Sequence, residues 1–266
     1  MDVTSRLEWH PRLLDPTQGR SVKPRKSGLT MVIDKGLGLH AFEDLLQTSA
    51  PYIDLLKIGF GTSPLYPSDL LKQKILMARQ HKIDILPGGT FLEVAIVQKT
   101  VPEFFETVGR LGFTSVEVSD GTIEMERGDR NEYIRRSLEQ GLNVYTEYGK
   151  KLWGSTIDVD QLLETVVLDV QQGASLVTIE ARESGTGVGI FDAKGQCKDE
   201  ELHAIAQQLP DRNQIMWEAP QKQQQVDMLR MLGLSVNLGN IAPQDIYSLE
   251  ALRRGLRSDT FVHPES

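Results

Sequence analysis

The chain has 266 residues, of which 39% are hydrophobic and 25% are charged, a composition typical of a soluble globular protein. Its 29 basic and 37 acidic residues give a formal net charge of -8, which argues against a general nucleic-acid binder and favours a small-molecule substrate. The single cysteine, Cys197, excludes an internal disulfide framework, and no apolar run approaches the roughly 18 residues that span a bilayer. With no signal-peptide core at its start, we expect a cytoplasmic protein without membrane or nucleic-acid partners.

Eight short apolar runs, many of them rich in β-branched residues, recur along the chain and indicate β-strands. Stretches with helical periodicity separate them, such as "DLLKQKILMARQH" from Asp69. Several helices are expected to end at a glycine, for example Gly112 or Gly141, because glycine adopts the left-handed conformation without steric cost. The predicted strands are "LTMVID" from Leu29, "YIDLLKIG" from Tyr52, "IDILPGG" from Ile83, "SVEVSDG" from Ser115, "NVYTEYG" from Asn143, "LVTIEA" from Leu176, "QIMWEAP" from Gln214 and "SVNLGN" from Ser235.

Alternation of eight strands with helices over roughly 240 residues predicts a (β/α)8 TIM barrel, and a doubly wound open sheet is the alternative. We assign residues 28–262 to a single barrel domain. Residues 1–27 precede the first strand and form an N-terminal arm, either a free extension or a cover for the bottom of the barrel. The basic residues of this arm are expected to be solvated; they are Arg20, Lys23, Arg25 and Lys26.

In a barrel of this type the βα loops converge on one pocket at the carboxyl ends of the strands. Those ends are heavily charged in this sequence. Glu117, Glu147 and Glu180 fall within predicted strands, where an inward-facing carboxylate must be neutralised by a cation. The neutralising group could be Mg²⁺ or one of four basic side chains, namely Lys57, Lys150, Lys151 and Arg182.

Histidine is missing from the predicted strand ends, because all five histidines fall in the arm, in helices or in the tail. A histidine-ligated zinc or iron site and a Ser-His-Asp triad are therefore not expected. Oxygen ligands remain, and they suit Mg²⁺. Proton transfer would fall to lysine, and the adjacent Lys150 and Lys151 are expected to lower each other's pKa.

Two glycine-containing segments are candidates for anion binding. The stretch "ESGTGVGIF" from Glu183 is either a mobile loop that grips an anion together with Arg182 or a flexible turn. The segment "NLGN" from Asn237 lies at the eighth strand, where barrels often bind phosphate on backbone amides. A phosphorylated substrate is consistent with both.

Motifs along almost the whole chain resemble the phosphosulfolactate synthases. The similarity runs from about Gly28 to Phe261, and its most specific part is the ordered series "VSDG", "GKK", "ARESG" and "EAPQK". It implies a (β/α)8 barrel that uses Mg²⁺ to add sulfite to phosphoenolpyruvate, giving (2R)-phospho-3-sulfolactate. In archaea this family opens one route to coenzyme M. In some bacteria it is associated with sulfolactate production, and a plant branch is linked to heat-stress tolerance.

The resemblance also implies roles for individual residues. Lys151 is the expected acid that protonates C2, Lys150 assists it, and Glu147 binds metal or orients the lysine. Lys57 completes the candidate catalytic set. The candidate substrate-binding residues are Asp34, Lys35, Arg182, Ser184, Asn237, Gly239 and Asn240. The candidate Mg²⁺ ligands are Glu117, Asp120, Glu147, Glu180 and Glu218.

Two other functions are compatible with the sequence. A lysine-based aldolase on a phosphorylated substrate would use Lys57 or Lys150 as a Schiff-base nucleophile. A non-catalytic, stress-associated member of the same family is the second alternative. Association with further copies of the chain is also considered, because apolar positions in "SLEALRRGLRSD" from Ser248 could pack between subunits.

Overall fold

A computed structural model of the protein describes residues 9–261, so residues 1–8 of the arm and residues 262–266 lie outside the described part. Eight strands alternate with helices along this range. The strands are β1 (Thr30–Asp34), β2 (Leu55–Ile58), β3 (Asp84–Pro87), β4 (Ser115–Val118), β5 (Asn143–Tyr148), β6 (Leu176–Ile179), β7 (Ile215–Glu218) and β8 (Leu238–Ile241). The helices are α1 (Pro11–Leu14), α2 (Leu39–Ser49), α3 (Ser68–Gln80), α4 (Gly89–Val97), α5 (Val101–Leu111), α6 (Arg127–Glu139), α7 (Val159–Gln171), α8 (Asp199–Gln208), α9 (Lys222–Leu232) and α10 (Ile246–Arg253).

The strands form one parallel sheet that curls into a barrel. Its order is β3-β2-β1-β8-β7-β6-β5-β4, so the first strand pairs with the last. The remaining gap, between β3 and β4, is bridged by Thr114, whose amide donates to the Ile85 carbonyl at 3.1 Å and whose hydroxyl accepts from the Ile85 amide at 2.8 Å. The predicted (β/α)8 barrel is therefore confirmed, and the open-sheet alternative is wrong.

The interior of the barrel has an apolar lower layer and a charged upper layer. Leu55 of β2 and Tyr145 of β5 belong to the lower layer, a buried cluster with Met31, Leu86, Leu176 and Met216. Since side chains two residues apart on a strand point to the same side, Lys57 and Glu147 lie directly above them. The apolar layer thus closes the floor of the barrel and leaves the charged layer facing its carboxyl end.

The outer core lies between the sheet and the surrounding helices. Helix α5 is an example, because it buries Val101, Phe104, Phe105 and Val108 along one face. It ends at Gly112, whose φ of 87° is the left-handed conformation expected from the sequence. None of the helices within residues 9–261 is both long enough and apolar enough to cross a bilayer.

The described part of the N-terminal arm packs against the amino-terminal end of the barrel. Arg20 forms an ion pair with Glu250 of α10 at 3.0 Å, and Arg25 forms one with Asp54 at 3.1 Å. The Lys23 ammonium donates to the carbonyl of Ile53 at 2.5 Å. The expectation of a solvated basic cluster is wrong for these three side chains, because each forms an ion pair with a carboxylate or a hydrogen bond to a carbonyl group at the base of the barrel. The domain boundary at residue 28 stays a prediction.

Helix α10 uses its apolar residues within the chain. Leu249 and Leu252 are 1% and 0% exposed and pack in the core, whereas Leu256, just beyond the helix, is 45% exposed. Leu249 and Leu252, two of the apolar residues in "SLEALRRGLRSD", therefore pack inside this chain and do not lie at its surface.

We expect the Arg20→Ala substitution to destabilise the protein by about 3 kcal/mol, because it removes one partner of a buried ion pair. Urea unfolding followed by circular dichroism measures the change. Arg135→Ala is the matched control: this arginine also pairs with two glutamates, Glu132 and Glu139, but at the surface, and its removal should leave the unfolding midpoint nearly unchanged. Equal effects of the two substitutions would show that the arm contributes no more than a surface contact.

Candidate active site

A cavity of about 440 Å³ opens at the carboxyl end of the barrel, above the charged layer. Most of the sequence-predicted catalytic residues line it. The residues around it are Ile33, Lys57, Phe60, Gly88, Gly89, Thr90, Glu117, Gly121, Thr122, Ile123, Glu124, Glu147, Lys150, Lys151, Leu152, Glu180, Arg182, Glu183, Glu218 and Asn240. Carboxylates and lysines from five different strands and their loops therefore meet in one place, as the barrel geometry requires.

Lys57 lies at the base of the cavity and is surrounded by carboxylates. Its ammonium is 2.8 Å from Glu117, 3.3 Å from Glu218 and 3.6 Å from Glu147. Burial alone would lower the pKa of Lys57, but the attraction of these three carboxylates outweighs it and raises the pKa above its usual value. Lys57 is therefore a fixed positive charge that links β2, β4, β5 and β7.

Lys151 enters the cavity from the turn that follows β5. Gly149 in this turn has a φ of 124°, which a residue with a side chain rarely adopts, and the Lys151 amide donates to the Gly121 carbonyl at 2.9 Å. The Lys151 ammonium contacts Glu147 at 2.7 Å, Glu180 at 3.4 Å and the hydroxyl of Thr90 at 3.4 Å. The stretch "TEYGKK" thus turns back on itself and pairs its own carboxylate with its second lysine.

Lys150 points away from Lys151. Its ammonium donates to the carbonyls of Asp120 at 2.9 Å and Ile123 at 2.8 Å and lies 3.3 Å from Glu124. The expectation that the two lysines lower each other's pKa is therefore wrong for Lys151. Burial lowers the pKa of Lys151, but Glu147 and two further carboxylates raise it by more, so the net shift is upward.

The cavity contains more buried carboxylates than ammonium groups. Burial raises the pKa of Glu117, and it raises the pKa of Glu218 to about 7. Burial together with the neighbouring Glu147 and Glu218 raises the pKa of Glu180 well above its usual range. Glu147 is the exception, because Lys151 and Lys57 outweigh burial and lower its pKa to about 2. Two lysines thus face four buried glutamates, and a further cation would favour the ionised form of those whose pKa is raised.

The donor set in this cavity fits a hard divalent cation such as Mg²⁺. It consists of oxygen atoms, and one of them, Oδ1 of Asn240, is buried without a hydrogen-bond partner among residues 9–261. No three acidic, histidine or cysteine side chains within residues 9–261 are already grouped as a ready metal site. The lysine ammoniums lie between the carboxylates instead. The residues that could hold the ion are Glu117, Glu147, Glu180 and Glu218.

Asp120 does not join this group. Its carboxylate lies 3.3 Å from Arg130 and 3.7 Å from Lys150, and it is not among the residues that line the cavity. Arg130 in turn holds the buried Asp169 of α7 at 2.7 Å. Asp120 is therefore part of a structural ion-pair network beside the site, and the structure does not support its predicted role as a metal ligand.

Asp34 and Lys35 also lie outside the cavity. The Asp34 carboxylate is fully buried, forms an ion pair with Lys74 of α3 and accepts from the amides of Gly36 and Leu37 at 2.9 and 2.8 Å. Lys35 is exposed on the loop after β1. The prediction that these two residues bind substrate is corrected accordingly, because Asp34 is used to fix the β1α2 loop and α3 to the barrel.

Asn237 lies at the opposite end of the barrel from the cavity. Its side chain accepts from the Leu29 amide at 2.9 Å and donates to the carbonyl of Ile215 at 3.0 Å, which ties β1 and β7 together where they begin. Gly239 is inside β8, and a side chain there would meet Met31 at 2.7 Å. The sequence placed the start of this strand too early, so neither residue is in position to bind substrate.

The glycine-rich loop after β6 is held by side chains of the "QKQQQ" run. Gln221 donates to the Ser184 carbonyl at 2.7 Å, and Gln224 donates to the carbonyls of Gly185 and Gly195 at 2.7 and 3.0 Å. Ser184 does not line the cavity. Arg182 does, and its guanidinium donates to the Lys151 carbonyl at 3.3 Å. Arg182 and Ser184 were both predicted to bind an anion, and of these two side chains only Arg182 is therefore placed to do so.

Glu93 of α4 is a site residue that the sequence analysis missed. Its carboxylate is buried, accepts from the Ser119 hydroxyl at 2.5 Å and the Thr122 amide at 3.1 Å, and lies 3.7 Å from the Lys151 ammonium. It thereby fixes the β4α6 loop at the rim of the cavity. One feature of the sequence could have indicated this residue, because Glu93 is the single charged residue in "GTFLEVAIV".

The chain matches one protein family over most of its length. Residues 18–259 match the family model described as (2R)-phospho-3-sulfolactate synthase (ComA). The phosphosulfolactate synthase of Methanothermobacter thermautotrophicus is 42% identical over 246 residues, which are 92% of this chain and 95% of that protein. The phosphosulfolactate synthase of Bacillus subtilis is 38% identical over 244 residues, which are 91% and 95% of the two chains.

More distant matches share less of the chain. The protein HEAT-STRESS-ASSOCIATED 32 of Arabidopsis thaliana is 21% identical over 193 residues, covering 63% of this chain and 68% of that protein. Among solved structures, a 3-hexulose-6-phosphate synthase superimposes with a TM-score of 0.54 at 13% identity, covering 84% of this chain and 98% of the other, a likeness of fold alone. On the family match and the near-complete alignment with its synthases, this chain belongs to the (2R)-phospho-3-sulfolactate synthase (ComA) family.

Proposed function

We propose that this protein is a phosphosulfolactate synthase, an enzyme that adds sulfite to C3 of phosphoenolpyruvate and gives (2R)-phospho-3-sulfolactate. The observation that carries the proposal is the match to phosphosulfolactate synthases over nearly the whole chain. The buried lysine and carboxylate groups at the carboxyl end of the barrel support it, because the reaction needs an acid and stabilisation of a developing negative charge.

The reaction forms one carbon–sulfur bond and transfers one proton. The lone pair on the sulfur of sulfite attacks C3 of phosphoenolpyruvate, and the electrons of the C2=C3 double bond move to C2 and spread into the substrate carboxylate. A proton then adds to C2, and the phosphate ester stays intact. The protein must therefore bind two anions side by side, stabilise charge beside the carboxylate and deliver a proton to one face of C2.

Lys151 is suited to deliver that proton. Its raised pKa keeps it in the ammonium form at neutral pH, so it is an acid and not a base in the resting site. Glu147 and Glu180 hold the ammonium at 2.7 and 3.4 Å, which fixes its position at the wall of the cavity. Arg182 and Lys150 at the rim are the cationic groups that we assign to the phosphate and carboxylate of the substrate.

We also propose Mg²⁺ as the cofactor, held by carboxylates among Glu117, Glu147, Glu180 and Glu218. The excess of buried carboxyl groups over lysines and the oxygen donors of the cavity support this assignment. When bound, the ion would supply positive charge where the substrate carboxylate becomes more negative. Lys57 lies at the base of the cavity, where its positive charge compensates part of the negative charge of the carboxylates.

Neither alternative function is favoured by a specific observation. A Schiff-base lysine must lose its proton before it attacks a carbonyl, whereas the pKa of Lys57 is raised by Glu117, Glu218 and Glu147. Lys150 is engaged with two backbone carbonyls. A non-catalytic role would leave unexplained why so many charged groups are buried around an accessible cavity. A cytoplasmic location, association into homo-oligomers and a pathway to coenzyme M or sulfolactate stay proposals.

We expect Lys151→Ala to lower kcat by at least about a hundredfold, because it removes the proton donor. Product formation from phosphoenolpyruvate and sulfite, followed by ³¹P NMR, measures the rate. Lys150→Ala is the matched control and should act mainly on KM, since that ammonium lies at the rim. Turnover of Lys151→Ala within about tenfold of the parent protein would remove Lys151 from the role of acid.

Removal of divalent metal should abolish turnover, because the carboxylate surplus then remains in the site without a neutralising ion. The measurement is the same NMR assay after dialysis against EDTA, with Mg²⁺ or Ca²⁺ added back. We expect Mg²⁺ to restore the rate and Ca²⁺ to restore little of it, since Ca²⁺ prefers longer bonds and more ligands. Full activity in EDTA would show that the lysines alone neutralise the site.

Treatment with borohydride in the presence of a phosphorylated carbonyl compound such as dihydroxyacetone phosphate should leave the mass of the protein unchanged. The physical reason is that the candidate nucleophile Lys57 is ion-paired and protonated. Intact-protein mass spectrometry detects a trapped adduct. A stable adduct that maps to Lys57 or Lys150 would move the aldolase function ahead of the synthase.

A further inference from the structure

Strand β8 contains an irregularity beside the cavity. Thr30 of β1 aligns with Leu238, and Val32 aligns with Ile241, so three steps along β8 face two steps along β1. The extra residue produces a β-bulge, a feature that re-aims side chains and is common next to active sites. Asn240 lies in this bulge with a φ of 55°, the left-handed conformation that few residues other than glycine adopt.

The bulge directs the Asn240 side chain into a buried position against the cavity. Asn240 is one of the lining residues, yet it is only 5% exposed. Its side-chain oxygen Oδ1 is buried and has no hydrogen-bond partner among residues 9–261. Buried amide oxygens are almost always satisfied, so this one indicates a partner that comes from outside the chain.

The chemistry of an unpartnered oxygen limits what that partner can be. Oδ1 accepts hydrogen bonds or binds cations, and it cannot donate. Phosphoenolpyruvate and sulfite present mainly acceptor oxygens at neutral pH, so neither satisfies it. A hard cation satisfies it and so does a water molecule, and the carboxylates that line the same cavity favour the cation. The nearby cations of the chain, such as Lys57, are already paired with carboxylates.

We propose that the Asn240 side-chain oxygen is an uncharged ligand of the metal ion in this site, reached directly or through one metal-bound water. The other proposed ligands are the carboxylates of β4 to β7, so Asn240 adds a ligand from β8. This assignment replaces the expectation that Asn240 binds phosphate through its backbone. The inference rests on the metal dependence proposed above. It does not require that sulfite is the nucleophile.

Glu117 of β4 differs from Asn240 in this respect. Its Oε1 atom is paired with the Lys57 ammonium at 2.8 Å. Its Oε2 atom accepts from the Gly89 amide at 2.8 Å, which holds the carboxylate in place. Both oxygens of Glu117 are thus held by the chain, so an ion that binds Oε1 would displace Lys57, whereas Oδ1 of Asn240 has no partner to displace.

The test measures metal binding without substrate or turnover. Free Mn²⁺ is titrated against the full-length protein and quantified by its EPR signal. In Asn240→Gly the oxygen is removed, and the fold is expected to survive because glycine adopts a φ of 55° more readily than asparagine. Asn240→Asp keeps the shape and an oxygen but loses the amide group. Asn131→Ala on α6, outside the cavity, is the control.

We expect Asn240→Gly to raise the Kd for Mn²⁺ by about tenfold or more, whereas Asn240→Asp and Asn131→Ala keep it within about threefold or tighten it. Thermal melts establish that each variant is folded. Unchanged Mn²⁺ affinity in Asn240→Gly would overturn the proposal.

The same titration separates this inference from the proposed function. If Asn240→Gly loses Mn²⁺ affinity while the parent protein makes no phosphosulfolactate, the ligand assignment stands and the reaction does not. If the parent protein turns over with Mg²⁺ but Mn²⁺ affinity is independent of Asn240, the reaction stands and the ligand assignment fails.

Discussion

The need to neutralise buried carboxylates constrains the rest of this structure. Four glutamates on neighbouring strands of the barrel converge, and only Lys57 and Lys151 lie among them. Charged groups in a protein interior are tolerated only when they are paired, so each lysine must be held at a fixed place. The turn at Gly149, the contact of Lys151 with Gly121 and the burial of Glu93 all serve that placement.

The barrel and its charged layer could be predicted from the sequence because both depend on local periodicity. Alternation within "VEV" and "TEY" places Glu117 and Glu147 on the inner side of their strands, whatever packs outside. The ends of the strands were less predictable. The sequence pattern places Asn237 inside a strand, but strand β8 begins one residue later. The Asn237 side chain therefore lies at the floor of the barrel.

Other features depend on contacts between distant parts of the chain, which a single sequence does not show. Asp34 ends a strand as a catalytic carboxylate would, yet it forms an ion pair with Lys74 of α3. The adjacent Lys150 and Lys151 look like a pair that shares one environment, but the turn sends their ammonium groups to different partners. Glu93 was overlooked because a helix residue reveals its partners only after the helix is docked.

The ion pair between Arg20 and Glu250 joins residues 230 positions apart in the chain. During synthesis the arm leaves the ribosome first, whereas its partner in α10 is among the last residues to appear. Lys23 and Arg25 find their partners early, at Ile53 and Asp54, but Arg20 has no carboxylate partner until α10 has been made. In the living cell, this contact would mark the end of folding and not its beginning.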